Sequence, residues 1–134
     1  MLGIIVAAHA PLATSLIKVA SLICDNMEHL YAIEVEINKP VENFEENFNV
    51  ALLTLKDCSG ILILTDLFGG TPSHIAMTKH SKGKIEVITG VNLPMLTKAL
   101  SLSASDQPLS EVATQVSQSA KHAIVIAGEV LTSS

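Results

Sequence analysis

The stretch Gly60-Ile61-Leu62-Ile63-Leu64-Thr65 decides the fold. Successive side chains of a strand point to opposite faces, so four aliphatic residues in a row need apolar cover on both sides. That is the situation of a parallel strand inside an α/β sheet. Working outward, β-rich runs recur at Gly3–Ala8, Leu30–Ile37, Ile85–Thr89 and His122–Ala127, with helical periodicity between them. Leu12, Leu16, Val19, Ala20 and Ile23 form one apolar helix face, and Phe44, Phe48, Ala51, Leu52 and Leu55 form a second. Leu109, Val112, Val116 and Ala120 form a third, after the polar connection 101–110. The alternation predicts a three-layer α/β sandwich with a mainly parallel sheet. Right-handed crossovers favour the flavodoxin-like strand order 2-1-3-4.

Size and composition agree with that architecture. The 134 residues are 49% apolar and 16% charged, as expected of a single domain spanning residues 1–134 with a substantial core. No apolar run approaches the ~18 residues of a membrane span, and the N-terminus lacks the basic start of a secretion signal. A cytoplasmic protein is expected. Cys24 and Cys58 lack the paired spacing of a zinc or redox site and read as reduced thiols. The net charge is −5, with eight of the thirteen carboxylates in residues 1–57, which argues against nucleic acid as a partner. Every basic residue is lysine, so no bidentate arginine clamp for phosphate can form.

The chemistry falls at the strand ends. In an open parallel sheet, ligands bind beyond the carboxyl ends of the strands, where the strand order reverses. His9 closes the first apolar run, and Thr65-Asp66-Leu67-Phe68-Gly69-Gly70-Thr71-Pro72 closes the third. If strands one and three are neighbours, Asp66 faces His9. A carboxylate on one imidazole nitrogen fixes the tautomer and leaves the other lone pair free to attack phosphorus. Gly69, Gly70 and Thr71 open a helix whose unpaired amides, hydroxyl and dipole suit a phosphoryl group. No metal or cofactor is called for, since the acceptor is already a nitrogen nucleophile.

Plainer readings stand beside these. Asp66 can cap the turn that begins at Leu67, alone or in addition to orienting His9. Gly69 and Gly70 can serve a tight turn, with or without a phosphate contact. Thr71 is expected to cap the helix ahead of Pro72, with phosphate contact as a second duty. His29, His80 and His122 have no partners at metal-binding spacing, and His74 is expected to be an exposed residue of the helix's first turn. A hydrolase is disfavoured: no serine or cysteine sits in a nucleophile elbow.

Three segments in order, the strand ending at His9, Asp66-Leu67-Phe68-Gly69-Gly70-Thr71-Pro72 and Gly90-Val91-Asn92-Leu93-Pro94-Met95-Leu96, resemble the mannose-type enzyme IIA of the bacterial phosphoenolpyruvate-dependent sugar phosphotransferase system. The resemblance implies that His9 takes a phosphoryl group on its tele nitrogen from the phosphocarrier HPr and passes it to a IIB component. It also implies a homodimer in which a last, antiparallel strand, His122–Ala127, pairs with the partner's sheet. Many members have a hydroxyl residue just before the active histidine, where this chain has Ala8. The run after the last strand is too short for a IIB domain, so a separate acceptor protein is expected. The alternative is a regulatory IIA protein whose His9 phosphorylation state switches a protein partner.

Overall fold

A computed structural model describes residues 1–132. The chain forms β1 (Gly3–His9), α1 (Leu12–Ala20), β2 (Leu30–Val35), α2 (Val41–Thr54) and β3 (Ile61–Thr65). It continues through α3 (Thr71–Thr78), β4 (Ile85–Ile88), α4 (Leu93–Leu102), α5 (Leu109–His122) and α6 (Ala127–Leu131). The four strands make one sheet in the order β2-β1-β3-β4, and all three pairings are parallel.

The continuous apolar runs are explained by cover on both faces. Ile4, Val6 and Ala8 of β1 and Leu62 and Leu64 of β3 point into one cluster with Ala13 of α1, Leu96 and Leu100 of α4, and Val112 and Val116 of α5. Ile5, Ala7 and Ile63 point the other way, against Phe44 and Phe48 of α2 and Ile75 and Ala76 of α3. Phe44 and Phe48 meet edge to face with ring centroids 5.7 Å apart, and complete burial of each stabilises the fold by roughly 1.5–3 kcal/mol. β1 and β3 occupy the centre of the sheet, so their ends lie side by side: Ala7 pairs with Thr65, one step before Asp66. The crevice between them is the switch point of the topology.

The C-terminal expectation is corrected. No antiparallel strand forms at His122–Ala127: α5 ends at His122, residues 123–126 have no regular structure, and α6 begins at Ala127. The β-branched residues Ile124, Val125 and Ile126 are 76%, 65% and 66% exposed. A strand exists only against a partner edge, and an exchanged strand takes its ladder from a second copy. The segment pairs with neither edge strand of the sheet, β2 or β4, and stays outside it. β2 also stops at Val35, ahead of the expected Ile37, which is fully exposed beyond the sheet.

Candidate functional site

The site is built from three connections at the carboxyl edge of the sheet. His9 is the last residue of β1, and Asp66 directly follows β3. Asp66 Oδ2 accepts from His9 Nδ1 at 2.8 Å and from the His9 backbone N–H at 2.9 Å, while Oδ1 accepts from the Leu67 N–H at 2.8 Å. One carboxylate thus orients the imidazole, anchors the backbone beneath it and shapes the following turn. Asp66 contacts both the imidazole and the turn at Leu67. An ionised carboxylate only accepts, so the imidazole proton sits on Nδ1 and the lone pair on Nε2. The His9 side chain is 48% exposed against 13% for Asp66, so a partly buried carboxylate contacts an accessible ring.

Burial alone would raise the Asp66 pKa, but donation from the His9 backbone, the His9 ring and the Leu67 backbone outweighs it and holds the carboxyl below its ordinary value. A depressed folded value means that the contact stabilises the fold above the ordinary carboxyl range and that this contribution is lost as pH falls through the folded pKa. A carboxyl-carbon NMR titration should therefore place the Asp66 midpoint below 3.8, with the His9 contact intact through mild acid. A midpoint at or above that value would contradict the geometry.

The Gly-Gly turn has a separate reason at each position. Gly69 has φ +89°, a left-handed conformation with open space around it, so glycine is needed there for the backbone. Gly70 is needed for room: a Cβ on it would lie 3.1 Å from His9 Cε1 and 3.3 Å from the Leu67 carbonyl oxygen. The amides of both are engaged, Gly69 N–H donating to Ser73 Oγ at 3.0 Å and Gly70 N–H to the Leu67 carbonyl at 3.1 Å. Thr71 does not cap α3. The N-cap is Gly70, without a side-chain cap, and Thr71 is the exposed first helical residue. The helix starts one residue early because Ser73 serves the turn instead, through Oγ donating to the Gly70 carbonyl at 3.0 Å.

The third segment fixes Asp66 from behind. Gly90 N–H donates to the Asp66 carbonyl at 3.0 Å and Val91 N–H to that of Thr65 at 2.8 Å. Asn92 then caps α4 by accepting from Met95 N–H at 2.9 Å and ties α5 in through Nδ2 to the Ala120 carbonyl at 3.1 Å. His74 is exposed as expected, its N–H closing the first turn of α3 on Gly70. His80 meets Glu86 at 3.6 Å on the surface, away from the crevice. Cys24 and Cys58 are free and half-buried. Two contacts were not legible in the sequence: the Ser73 clip, and Glu34 of β2, which accepts from Thr14 N–H at 2.8 Å in the first turn of α1. The first is local, three and four residues apart, while the second depends on tertiary approach. The only sequence signal was negative, the absence of a capping residue at Pro11.

The profile of a family described as "PTS system fructose IIA component" matches residues 3–124. The chain belongs to the mannose-type EIIA family. The mannose-specific EIIAB component of Escherichia coli K12 is 30% identical over 112 residues, covering 83% of this chain and 35% of that protein. This chain therefore spans about a third of the length of that relative. The fructose-specific EIIA component of Bacillus subtilis is 27% identical over 103 residues, covering 76% of this chain and 70% of that one. A phosphotransferase system EIIA of known structure, from Streptococcus agalactiae, superposes with a TM-score of 0.86 at 25% identity, covering 96% and 99% of the two chains. Among the described residues, no helix is long and apolar enough to cross a membrane, and no cluster of metal-ligating side chains occurs.

Proposed function

We propose that this EIIA is a phosphocarrier that accepts a phosphoryl group from phospho-HPr on His9 Nε2 and passes it to a IIB component. The observation that carries the reading is the 2.8 Å contact between Asp66 and His9 Nδ1, which leaves the nucleophilic lone pair on the exposed nitrogen. Nε2 attacks phosphorus as the bond to the donor nitrogen breaks. The imidazolium formed on His9 keeps its Nδ1 proton on Asp66, and the reverse geometry delivers the group to the acceptor. Half-exposure of the ring supports a protein partner, whose own phosphorylated side chain must reach the same atom. Leu67 and Phe68, 62% and 71% exposed on the adjoining turn, supply apolar contact area for docking.

In this reading Gly70 allows close approach, Gly69 shapes the turn, and the first-turn amides of α3 with the Thr71 hydroxyl face the phosphoryl oxygens. No arginine exists to hold them, and Lys39 is paired with Glu36 at 2.7 Å. A cradle of neutral dipoles stabilises the group without trapping it, as a relay requires. Incubation with phosphoenolpyruvate, enzyme I and HPr should install one acid-labile, base-stable phosphate per chain. No incorporation would rule the reading out.

We also propose a homodimer, supported by the contiguous exposure of Ile124, Val125 and Ile126, an apolar patch unusual for a lone chain. Sedimentation should give twice the chain mass, and Val125→Glu should shift it to the monomer. A wild-type monomer at micromolar concentration would refute this part.

A further inference from the structure

Ser73 is a buried hydroxyl that the transfer reading leaves unused. It is fully buried at the third position of α3 and makes two hydrogen bonds within one loop. Its Oγ accepts from Gly69 N–H and donates to the Gly70 carbonyl, both at 3.0 Å. The same carbonyl accepts from His74 N–H at 2.9 Å, so the clip joins the turn to the first turn of the helix. Besides the clip, the turn is held by Gly70 N–H on the Leu67 carbonyl and Leu67 N–H on Asp66 Oδ1, neither of which engages Gly69. A side chain at Gly69 would meet open space, and Leu67 and Phe68 project into solvent. A Gly-Gly pair has the greatest backbone freedom of any dipeptide, so an unclipped loop samples many conformations.

The clip matters because of what Gly70 touches. Its backbone faces Cε1, the imidazole carbon between the oriented and the nucleophilic nitrogens, closely enough that an added Cβ would sit 3.1 Å away. Asp66 constrains the ring at Nδ1 only, and a single hydrogen bond lets a ring tilt about its attachment. The Gly70 backbone stands on that side of Cε1, so where the turn sits sets how far the ring can tilt. We infer that Ser73 is a positioning residue for His9: by clipping Gly69 to Gly70 it holds the Gly70 backbone against the imidazole edge, which keeps Nε2 in one orientation. The inference rests on His9 being the phosphoryl acceptor. Phosphoryl transfer needs the attacking atom in line with the bond that breaks, so loss of orientation lowers the rate at the chemical step and leaves partner docking unchanged.

The test uses the full chain with Ser73→Ala, which removes the clip and places a better helix former in α3. One readout is the nuclear Overhauser effect between His9 Hε1 and the Gly70 α-protons in unphosphorylated protein. It should be strong in the wild type and weakened or lost in Ser73→Ala, with the thermal midpoint retained. The other is single-turnover phosphorylation. At saturating phospho-HPr the variant should be about tenfold slower, with an unchanged half-saturating donor concentration. An undiminished Overhauser effect, or a wild-type transfer rate, would overturn the role of Ser73. A wild-type protein that takes no phosphate at all would overturn the phosphocarrier reading instead, while the Overhauser comparison would still decide whether Ser73 positions the ring.

Discussion

His9→Ala protein should take up no acid-labile phosphate from phosphoenolpyruvate, enzyme I and HPr, while the wild type should be labelled to one equivalent per chain. The expected effect is total because His9 is the proposed covalent acceptor, with no neighbouring group to replace it. The described residues of the crevice include no second imidazole in contact with Asp66, and His74 uses its backbone, not its ring, in the turn beneath. The fold should survive. His9 is the half-exposed last residue of β1, and its backbone N–H still reaches Asp66 when the side chain is removed. Circular dichroism and thermal melting of the variant check this directly. Labelling of His9→Ala at the wild-type level would place the phosphoryl group on another residue.

Asp66→Asn slows transfer by about 100-fold and leaves the protein folded. The carboxylate accepts three hydrogen bonds, from His9 Nδ1, His9 N and Leu67 N. A carboxamide has one accepting oxygen, so its NH2 group must face at least one of those donors. If it faces Nδ1, that nitrogen has to accept, the imidazole proton moves to Nε2, and the attacking lone pair is lost. The developing imidazolium also loses its negative partner. The stability cost is that of a strained or lost hydrogen bond, about 1–3 kcal/mol, since the amide can still serve either backbone donor. Single-turnover rates and the nitrogen-15 spectrum of the ring measure the two effects separately. An Asp66→Asn protein with wild-type rate would remove Asp66 from the mechanism.

What the sequence reveals about this chain follows physical lines. The runs Ile61-Leu62-Ile63-Leu64 and Leu2 to Ala8 could be read as central parallel strands because double-sided burial leaves no polar position to confuse the period. His9 and Asp66 were legible as a pair for the same reason: adjacent central strands bring their ends together, and each ends on a residue with chemistry. The segment Ile124-Val125-Ile126 has equal β propensity but pairs with neither edge of the sheet, and propensity alone does not make a strand. Thr71 carried a strong local capping signal, yet the helix took Gly70 as its cap, because Ser73 two residues on could engage the turn through space. Glu34 lies twenty residues from the helix it caps, and no local pattern marks it. Both unreadable contacts are side chain to backbone, the Ser73 clip within one turn and the Glu34 cap across elements.

The third segment, beginning at Gly90, supports the crevice from the side of β4. Its amides hold the carbonyls of Thr65 and Asp66, so the backbone that presents the orienting carboxylate is pinned on the side away from His9. Preorganisation of this kind places the orienter before the phosphoryl group arrives and spares the transfer step the cost of ordering it.

The central claim is that the exposed nitrogen of His9 carries the phosphoryl group. The most direct measurement is the nitrogen-15 to phosphorus-31 coupling in phosphorylated protein labelled in its histidine rings. The account predicts coupling to Nε2 of His9, with Nδ1 still protonated and facing Asp66. Coupling to Nδ1 of His9, or to any nitrogen of His29, His74, His80 or His122, would contradict it.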